Sequence, residues 1–499
     1  MVINKIKIFS QYYRCSMKIK SLILFLVFLL EFNSIIAQNF NDALRLSDPD
    51  ILTSARALGI GNAYLSISND YSASLFNPAG FALIKKMEFS GGLNYNSFKN
   101  EVQFFNRSSN YSATSTNFNQ FGFAFPIPTI RGSLVLGFGY NEFKDFNKAM
   151  KFSGFNSSNN SLIQNLTNDN DDIAYELGLS YPVYDGNGKY LYDETRINGK
   201  LNQSGNIIQE GGLNSWQFTG AVEFQENLFF GFTINIINGD FKRNREYWED
   251  DVNNNYPMQL LLDPNDQATA DFQSFYFNDI IRWDVSGWNA VLGVLTKVDE
   301  NVNLGATIKL PKVLEIKEFY TVDADAKFGT GKKFFLDPPI ENRLEYTIKT
   351  PLEIGIGASY SISGMLIAFD ANFIDYTQME FSDGFDSRDL ENKNRDIKEV
   401  FREAINLNAG FEYALPFTGI TLRAGFIFMP SPFKDDDSEF DKKFITAGIG
   451  FKAGARFVFD AGFAHGWWKD VGDNYGSNLS RTFQSITKDN LIFGIKYLF

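Results

Sequence analysis

Asn490-Leu491-Ile492-Phe493-Gly494-Ile495-Lys496-Tyr497-Leu498-Phe499 ends the chain. Taken two residues at a time, it places Leu491, Phe493, Ile495, Tyr497 and Phe499 on one face and Ile492, Gly494, Lys496 and Leu498 on the other. That is the period of an extended strand, with a uniformly bulky apolar face backed by a mixed one.

The pattern recurs upstream. Phe457, Phe459, Ala461 and Phe463 oppose Arg456, Asp460 and Gly462, and Ile420, Leu422, Ala424, Phe426 and Phe428 oppose Thr421, Arg423 and Gly425. Ile354, Ile356, Ala358 and Tyr360 likewise oppose Glu353, Gly355, Gly357 and Ser359. Fourteen such segments begin near Met87, Asn117, Gly132, Asn214, Leu228, Gly287, Val302, Arg343, Met365, Glu403, Gly419, Lys443, Ala455 and Asn490. Tight connections (Pro126 to Arg131, Gln225 to Asn227, Asp299 to Asn301, Ser361 to Gly364, Leu415 to Thr418, Lys452 to Gly454) alternate with long ones. The long ones run from Lys99 to Thr116, Phe146 to Leu213, Asn244 to Ser286, Thr321 to Asn342, Ser382 to Arg402, Ser431 to Asp441 and Lys469 to Asp489. An even number of strands with short turns at one rim and long loops at the other predicts an all-β, fourteen-stranded antiparallel transmembrane barrel over residues 87–499.

Aromatic placement separates this from a soluble β-sandwich. Trp216, Trp288, Trp467 and Trp468 fall at the long-loop rim and Phe125, Phe451, Phe457 and Phe499 at the other, as interfacial girdles require. A cation facing lipid at the midplane costs about 2–4 kcal/mol, so Lys309, Arg343, Lys349 and Arg423, all on the polar phase, are expected to face the lumen beside acids such as Glu345, Glu353, Asp370 and Asp460. Tyr497 and Phe499 are expected to carry the carboxy-terminal signal for the barrel assembly machinery. Composition agrees: 52 Phe, 22 Tyr and 40 Gly suit strands and turns. A charged fraction of 21% beside 44% hydrophobic residues excludes both a disordered chain and a bundle of membrane helices. A formal charge of −13 argues against nucleic acid as a partner.

The amino terminus gives the compartment. Arg14, Lys18 and Lys20 precede an apolar run from Ser21 to Leu30, and Ala37 suits a signal peptidase, so residues 1–37 read as a secretory leader, with Met17 an alternative start. The run is shorter than the ~20 apolar residues of a spanning helix. No second apolar stretch follows, which leaves a closed barrel as the only way into a membrane. Cys15 is the single cysteine and lies in the leader, so the mature chain has no disulfide, no thiolate metal site and no Cys-His catalysis. His465 is the single histidine, which excludes a histidine metal cluster. No catalytic residue, cofactor or metal is expected.

Residues 38–86 do not alternate. They contain Ser54-Ala55-Arg56-Ala57-Leu58-Gly59-Ile60-Gly61-Asn62-Ala63-Tyr64 and then Asn69-Asp70-Tyr71-Ser72-Ala73-Ser74-Leu75-Phe76-Asn77-Pro78-Ala79-Gly80. This run resembles the amino-terminal hatch of the FadL/TodX-type outer-membrane transporters of long-chain fatty acids and hydrocarbons, including the Asn77-Pro78-Ala79 tripeptide just before the first strand. Gly287-Trp288-Asn289-Ala290, the Leu310-Pro311 step, Thr350-Pro351-Leu352-Glu353, Leu422-Arg423-Ala424-Gly425 and Ala464-His465-Gly466 are similar to that family's pattern. The insert from Phe146 to Leu213 is not. The resemblance implies a fourteen-stranded barrel plugged by a hatch, taking hydrophobic compounds at the outer loops and releasing them sideways through the wall.

Burying each methylene of an acyl chain gains about 0.8 kcal/mol, so sixteen give roughly 13 kcal/mol; capture is easy and release is the problem. Gly59 and Gly61, with Asn77, Pro78 and Ala79, are the expected hatch motif, either as a moving element or simply because small residues let a plug fit. Lys309, Arg343, Lys349 and Arg423 are the candidate partners of a ligand carboxylate. The acidic runs Asp169-Asn170-Asp171-Asp172, Glu249-Asp250-Asp251 and Asp435-Asp436-Asp437 read as solvated loops, and Asp389 to Ala404 as a short helix. The expected function is passive uptake of hydrophobic compounds, long-chain fatty acids foremost, by a monomer set in outer-membrane lipid and lipopolysaccharide. An aromatic hydrocarbon channel and an outer-membrane shuttle protein of type nine secretion stand as alternatives, and a water-filled porin is disfavoured by the hatch.

Overall fold

The computed structural model describes residues 40–168, 172–475 and 479–499. The predicted leader, with Cys15 and Met17, lies outside them, as do Asp169, Asn170 and Asp171 of the first acidic run.

Fourteen strands close into one antiparallel ring. They are β1 (Glu88–Phe104), β2 (Arg107–Ile127), β3 (Leu134–Asp145), β4 (Asn202–Gln225), β5 (Leu228–Asp250), β6 (Phe272–Lys297), β7 (Val302–Lys309, resuming as Val313–Phe328) and β8 (Ile340–Lys349, resuming as Glu353–Ile362). The rest are β9 (Met365–Asp375, resuming as Glu380–Asp383), β10 (Glu403–Ala414), β11 (Ile420–Met429), β12 (Lys442–Ala453), β13 (Phe457–Asp473) and β14 (Arg481–Leu498). The ring closes where β1 pairs with β14, from Glu88↔Leu498 to Phe104↔Thr482. Both chain-end strands therefore start or finish at the short-turn rim, which is the periplasmic side of such a barrel.

The two faces follow the sequence phase. On β5, Phe230, Phe232, Ile234 and Ile236 are exposed, while Thr233, Asn235 and Ile237 between them are buried. The lipid side takes bulky apolar groups because nothing there accepts a hydrogen bond, and the inner side takes groups that bond one another, as Thr219 and Thr233 do at 2.8 Å. Trp216, Trp288 and Trp467 are exposed at the outer rim and Phe125, Phe451, Phe457 and Phe499 at the inner one. Trp468 departs from the expected girdle: it points inward and packs on Phe444 at 6.0 Å.

Several expected loops are strand. A membrane span needs ~9–11 residues, yet β4, β5 and β6 have 24, 23 and 26, so the wall stands well above the bilayer. The stretch expected as a loop from Lys99 to Thr116 is a paired hairpin running to Phe104↔Arg107. Above the membrane the outward face meets water, and the alternation there is carried by Ser, Thr and Asn against buried Phe98, Val102 and Phe104. The Phe146 to Leu213 insert supplies an inward-lying strand, Lys148–Phe155, paired with Asn202 to Gln209 of β4. It also supplies two one-turn helices and a hairpin, Tyr181–Tyr184 with Tyr190–Glu194. These roof the barrel over a core containing Phe104, Phe152, Tyr247, Phe272 and Phe275. The expected loop helix is present as Ser387–Val400, capped by Asp386, whose carboxylate accepts from the Arg388 and Asp389 amides.

Candidate functional site

The amino-terminal segment lies inside this ring. It comprises α1 (Phe40–Ser47), α2 (Ala55–Gly59, capped by Ser54), and 3-10 turns at Tyr71–Ser74 and Pro78–Leu83. Its small residues sit where backbone meets backbone. A Cβ on Gly59 would lie 2.9 Å from the Gly448 Cα, and one on Gly61, at φ +66°, would lie 2.6 Å from the Ala409 carbonyl oxygen. Asn77 is fully buried and caps the second turn. Its Nδ2 donates to the carbonyls of Leu65 at 2.8 Å and Val294 at 2.9 Å, and its Oδ1 accepts from the Ala79 amide at 3.2 Å. Beneath the tripeptide, Gly231, Gly293 and Gly305 from three neighbouring strands form a shelf. Cβ atoms there would come within 2.3 Å of the Pro78 carbonyl carbon, 2.1 Å of the Asn77 Oδ1 and 2.3 Å of the Leu65 carbonyl oxygen, respectively.

On the opposite wall the segment is fixed by charge. Arg423 Nε meets Glu412 at 2.7 Å and its Nη1 meets Asp460 at 2.7 Å. Glu412 also receives Arg56 at 3.1 Å, Arg56 lies 3.9 Å from Asp70, and Asp70 takes Lys496 at 3.0 Å. Arg423 thus faces the lumen as expected but is spent on two carboxylates. Removing one member of a buried charge set typically costs 3–5 kcal/mol, because a charge is left unpaired. Arg423→Met is therefore expected to lower markedly the temperature at which the folded band is lost in a heat-modifiability gel. Arg423→Met with Asp460→Asn is expected to recover part of the loss; an unchanged transition in the single variant would show that the network carries no stability.

Between α1 and the rest of the segment is a cavity of about 190 Å³. Leu75, Phe76, Val291, Ile374 and Met429 supply apolar wall, and Gln217, Asn235 and Asn289 form an amide ladder with contacts of 3.1 and 2.9 Å. Lys309 reaches the cavity as expected and meets Glu353 at 3.3 Å; Lys312, which the sequence reading did not pick out, lies 3.9 Å from the same carboxylate. Arg343 and Lys349 depart from expectation. Arg343 is exposed on the outer face, its guanidinium 5.3 Å from the Phe319 ring centre, and the partly exposed Lys349 pairs with Glu380 at 3.4 Å. Glu345 is likewise on the outside, against Lys317 at 3.6 Å.

Between α1 and α2 the segment is tethered by Asp48-Pro49-Asp50, which lines the same cavity. Asp48 is paired with Lys442 and lies 3.9 Å from the Lys144 amine; Asp50 takes Lys488 at 3.0 and 3.2 Å. Burial alone drives the Asp50 carboxyl up, but Lys488 and Lys144 outweigh it and hold it at about 2.

Between β2 and β3 the pairing of the wall stops early. β2 and β3 are bonded from Gln120↔Asn141 down to Ile127↔Leu134. Above that, β2 continues to Arg107 beside β1, while β3 turns inward through a register shift between Glu142 and Lys144. Side chains join the two edges: Asn117 Nδ2 donates to Glu142 at 2.7 Å and Ser115 Oγ to Asp145 at 3.2 Å. On the lipid side this level is marked by Phe118, Phe121, Tyr140 and Trp216, with ring centres 5.5–6.3 Å apart. On the inside, Phe143 and Lys144 of the turned strand line the cavity. His465, elsewhere on the outer rim, bonds Asp489 at 2.7 Å. Phe499 is exposed at the inner rim, its amide donating to the Met87 carbonyl at 3.0 Å, with Tyr497 packed beside it at 4.8 Å.

The structure is similar to that of the P. putida toluene transporter TodX, with a TM-score of 0.54 at 13% identity over 90% of this chain and 99% of that one. It is similar to a Pseudomonas aeruginosa FadL homologue at a TM-score of 0.52 and 12% identity, again over 90% and 99%. At such identities the likeness is one of fold. Comparison with curated proteins returns no match. The family described as outer membrane protein transport protein (OMPP1/FadL/TodX) matches residues 37–497. A closed fourteen-stranded barrel with a lipid-facing apolar surface, matched to that family over nearly its whole length, belongs to the OMPP1/FadL/TodX family of bacterial outer-membrane transporters of hydrophobic compounds.

Proposed function

We propose that this protein takes up long-chain fatty acids by passive diffusion, with the amino-terminal segment as hatch and with lateral release at the β2–β3 edge. The observation that carries the route is the position of the cavity: it reaches Phe143 and Lys144 on the unpaired side of β3, whereas the axial way down is crossed by the Arg56–Glu412–Arg423–Asp460 network. An acyl chain passing charges in a low-dielectric lumen gains nothing; passing sideways between Phe118 and Tyr140 it stays in apolar contact. Lysines beside the cavity suit a carboxylate head. The packed outer lumen, with Phe241, Trp283 and Tyr346 buried around α1, suits small apolar cargo better than the protein cargo of a secretion shuttle. The protein is taken to work as a monomer among outer-membrane lipid and lipopolysaccharide, inserted by the barrel assembly machinery through Tyr497 and Phe499.

The cavity's size favours a second reading. An engineered 150 Å³ apolar cavity binds benzene, so about 190 Å³ admits one aromatic ring without any movement, while a full acyl chain requires the hatch to give way. Uptake of labelled oleate and labelled toluene by cells lacking the gene, with and without a plasmid copy, decides between them. Restored oleate uptake is expected. Restored toluene uptake alone would establish the hydrocarbon reading, and restoration of neither would remove uptake as the function.

A further inference from the structure

Asp48 and Asp50 hold four strands' worth of lysines. Lys144 and Lys488 come from β3 and β14, Lys442 from β12, and Lys148 from the inward strand, close enough to bear on Asp48. None of these contacts joins one wall strand to another; each joins the wall to the amino-terminal segment. The two carboxylates also line the cavity, so a molecule in it lies beside the ion pairs. Lys144 serves both places at once. It donates to the Asp48 carbonyl at 2.5 Å and belongs to the stretch of β3 that has left β2.

We infer that Asp48 and Asp50 occupy the carboxylate site of the ligand, and that a fatty acid head group takes Lys144, Lys442 and Lys488 from them as it enters. This rests on the fatty acid reading proposed above and specifies its gate. The incoming carboxylate stands in for both aspartates at the same amines, so the lysines keep an anionic partner throughout, no buried amine is left unpaired, and the cost of desolvating the head group is offset by returning the two aspartates to water. The displaced aspartates are then repelled by the incoming carboxylate and turn toward lumen water, loosening α1 above and the Lys144 anchor at the β2–β3 edge. Because the aspartates are tethered, they compete at high effective concentration; burial of the acyl chain supplies what the head group alone lacks. An uncharged hydrocarbon of the same length gains the burial but cannot perform the exchange.

The test compares oleate with oleyl alcohol on purified full-length protein, wild type against the Asp48→Asn, Asp50→Asn double variant. Loss of the tethered competitors is expected to tighten oleate by about tenfold or more while oleyl alcohol shifts by less than about twofold. Oleate affinity that stays level or weakens in a folded variant, with both ligands still bound, overturns the exchange and leaves the transport reading standing. Wild-type protein that binds neither ligand overturns both. Should the double variant not fold, Ser47→Cys in an otherwise native chain serves, since Ser47 is 2% exposed and the chain's own Cys15 lies in the predicted leader. Oleate is then expected to speed maleimide labelling by about tenfold and oleyl alcohol to leave it unchanged; equal labelling with and without oleate overturns the inference.

Discussion

Cells carrying Asn117→Cys with Glu142→Cys are expected to lose nearly all oleate uptake when the two thiols are joined by a short bis-methanethiosulfonate, and to regain it when reductant cleaves the link. The two native side chains already meet at 2.7 Å across the one place where β2 and β3 lack backbone pairing. In the free protein, opening there gives up that contact and the one between Ser115 and Asp145, two side-chain bonds in place of a backbone ladder. A covalent bridge removes the option without filling the lumen or touching the hatch. Cys15, the one native cysteine, lies in the predicted leader, so cleavage of that leader leaves the reagent no other target. Either single cysteine treated alike should transport normally, and a surface assay should show equal barrel in all four strains. Full uptake through a demonstrably bridged edge would move the exit elsewhere and leave the amino-terminal segment as the only gate.

The lipid-facing half of this barrel was legible because the bilayer tolerates few alternatives: Leu491, Phe493, Ile495 and Tyr497 have to alternate with the lumen residues, and the phase survives without knowledge of any neighbour. The same logic failed above the membrane. There the outward face meets water, and Ser112, Thr114 and Thr116 on β2 look like loop although they are paired strand. It failed again for the ligand cations. The phase of Glu353 carried backwards puts Arg343 and Lys349 in the lumen, but β8 is interrupted at Thr350 to Leu352, and the two faces exchange across the break. β7 has the matching break at Leu310 to Lys312, which is also why Lys312 was missed. Pro311 and Pro351 were the available signal, since a proline cannot bond within a continuous ladder. Lys309 precedes the break and was placed correctly. The β2–β3 edge left no trace in the alternation, because losing a partner changes hydrogen bonds and not which face a side chain takes. Nor does spacing reveal that Asp48 and Asp50 meet Lys442 and Lys488, nearly four hundred and more residues away.

Gly293→Val is expected to convert a sealed barrel into a leaking one. Valine suits a strand better than glycine does, and position 293 pairs within both β5 and β7, so the wall itself should still assemble. The damage falls on what rests against it. A Cβ at 293 would stand 2.1 Å from the Asn77 Oδ1 and 2.8 Å from the Pro78 Cδ, and both belong to a turn that is itself pinned by Asn77 to Leu65 and Val294. The turn has to leave its shelf. Doing so abandons two buried carbonyls and the cap on Ala79, each loss worth about 1–3 kcal/mol, so the segment gives way before a wall in which position 293 is bonded on both sides does. With the hatch unseated, a lumen lined by Thr219, Asn235 and Asn289 is a polar channel, which water and large hydrophilic solutes enter. Cells expressing the variant should become sensitive to vancomycin, which an intact outer membrane excludes, and planar bilayers should show large open steps absent from the wild type. Asn77→Ala, which removes the same three hydrogen bonds without any clash, should produce the same leak at lower amplitude. If Gly293→Val reaches the surface folded and still excludes the antibiotic, the glycine shelf does not seat the hatch, and the seal has to be assigned to the Arg56–Glu412–Arg423 network on the opposite wall.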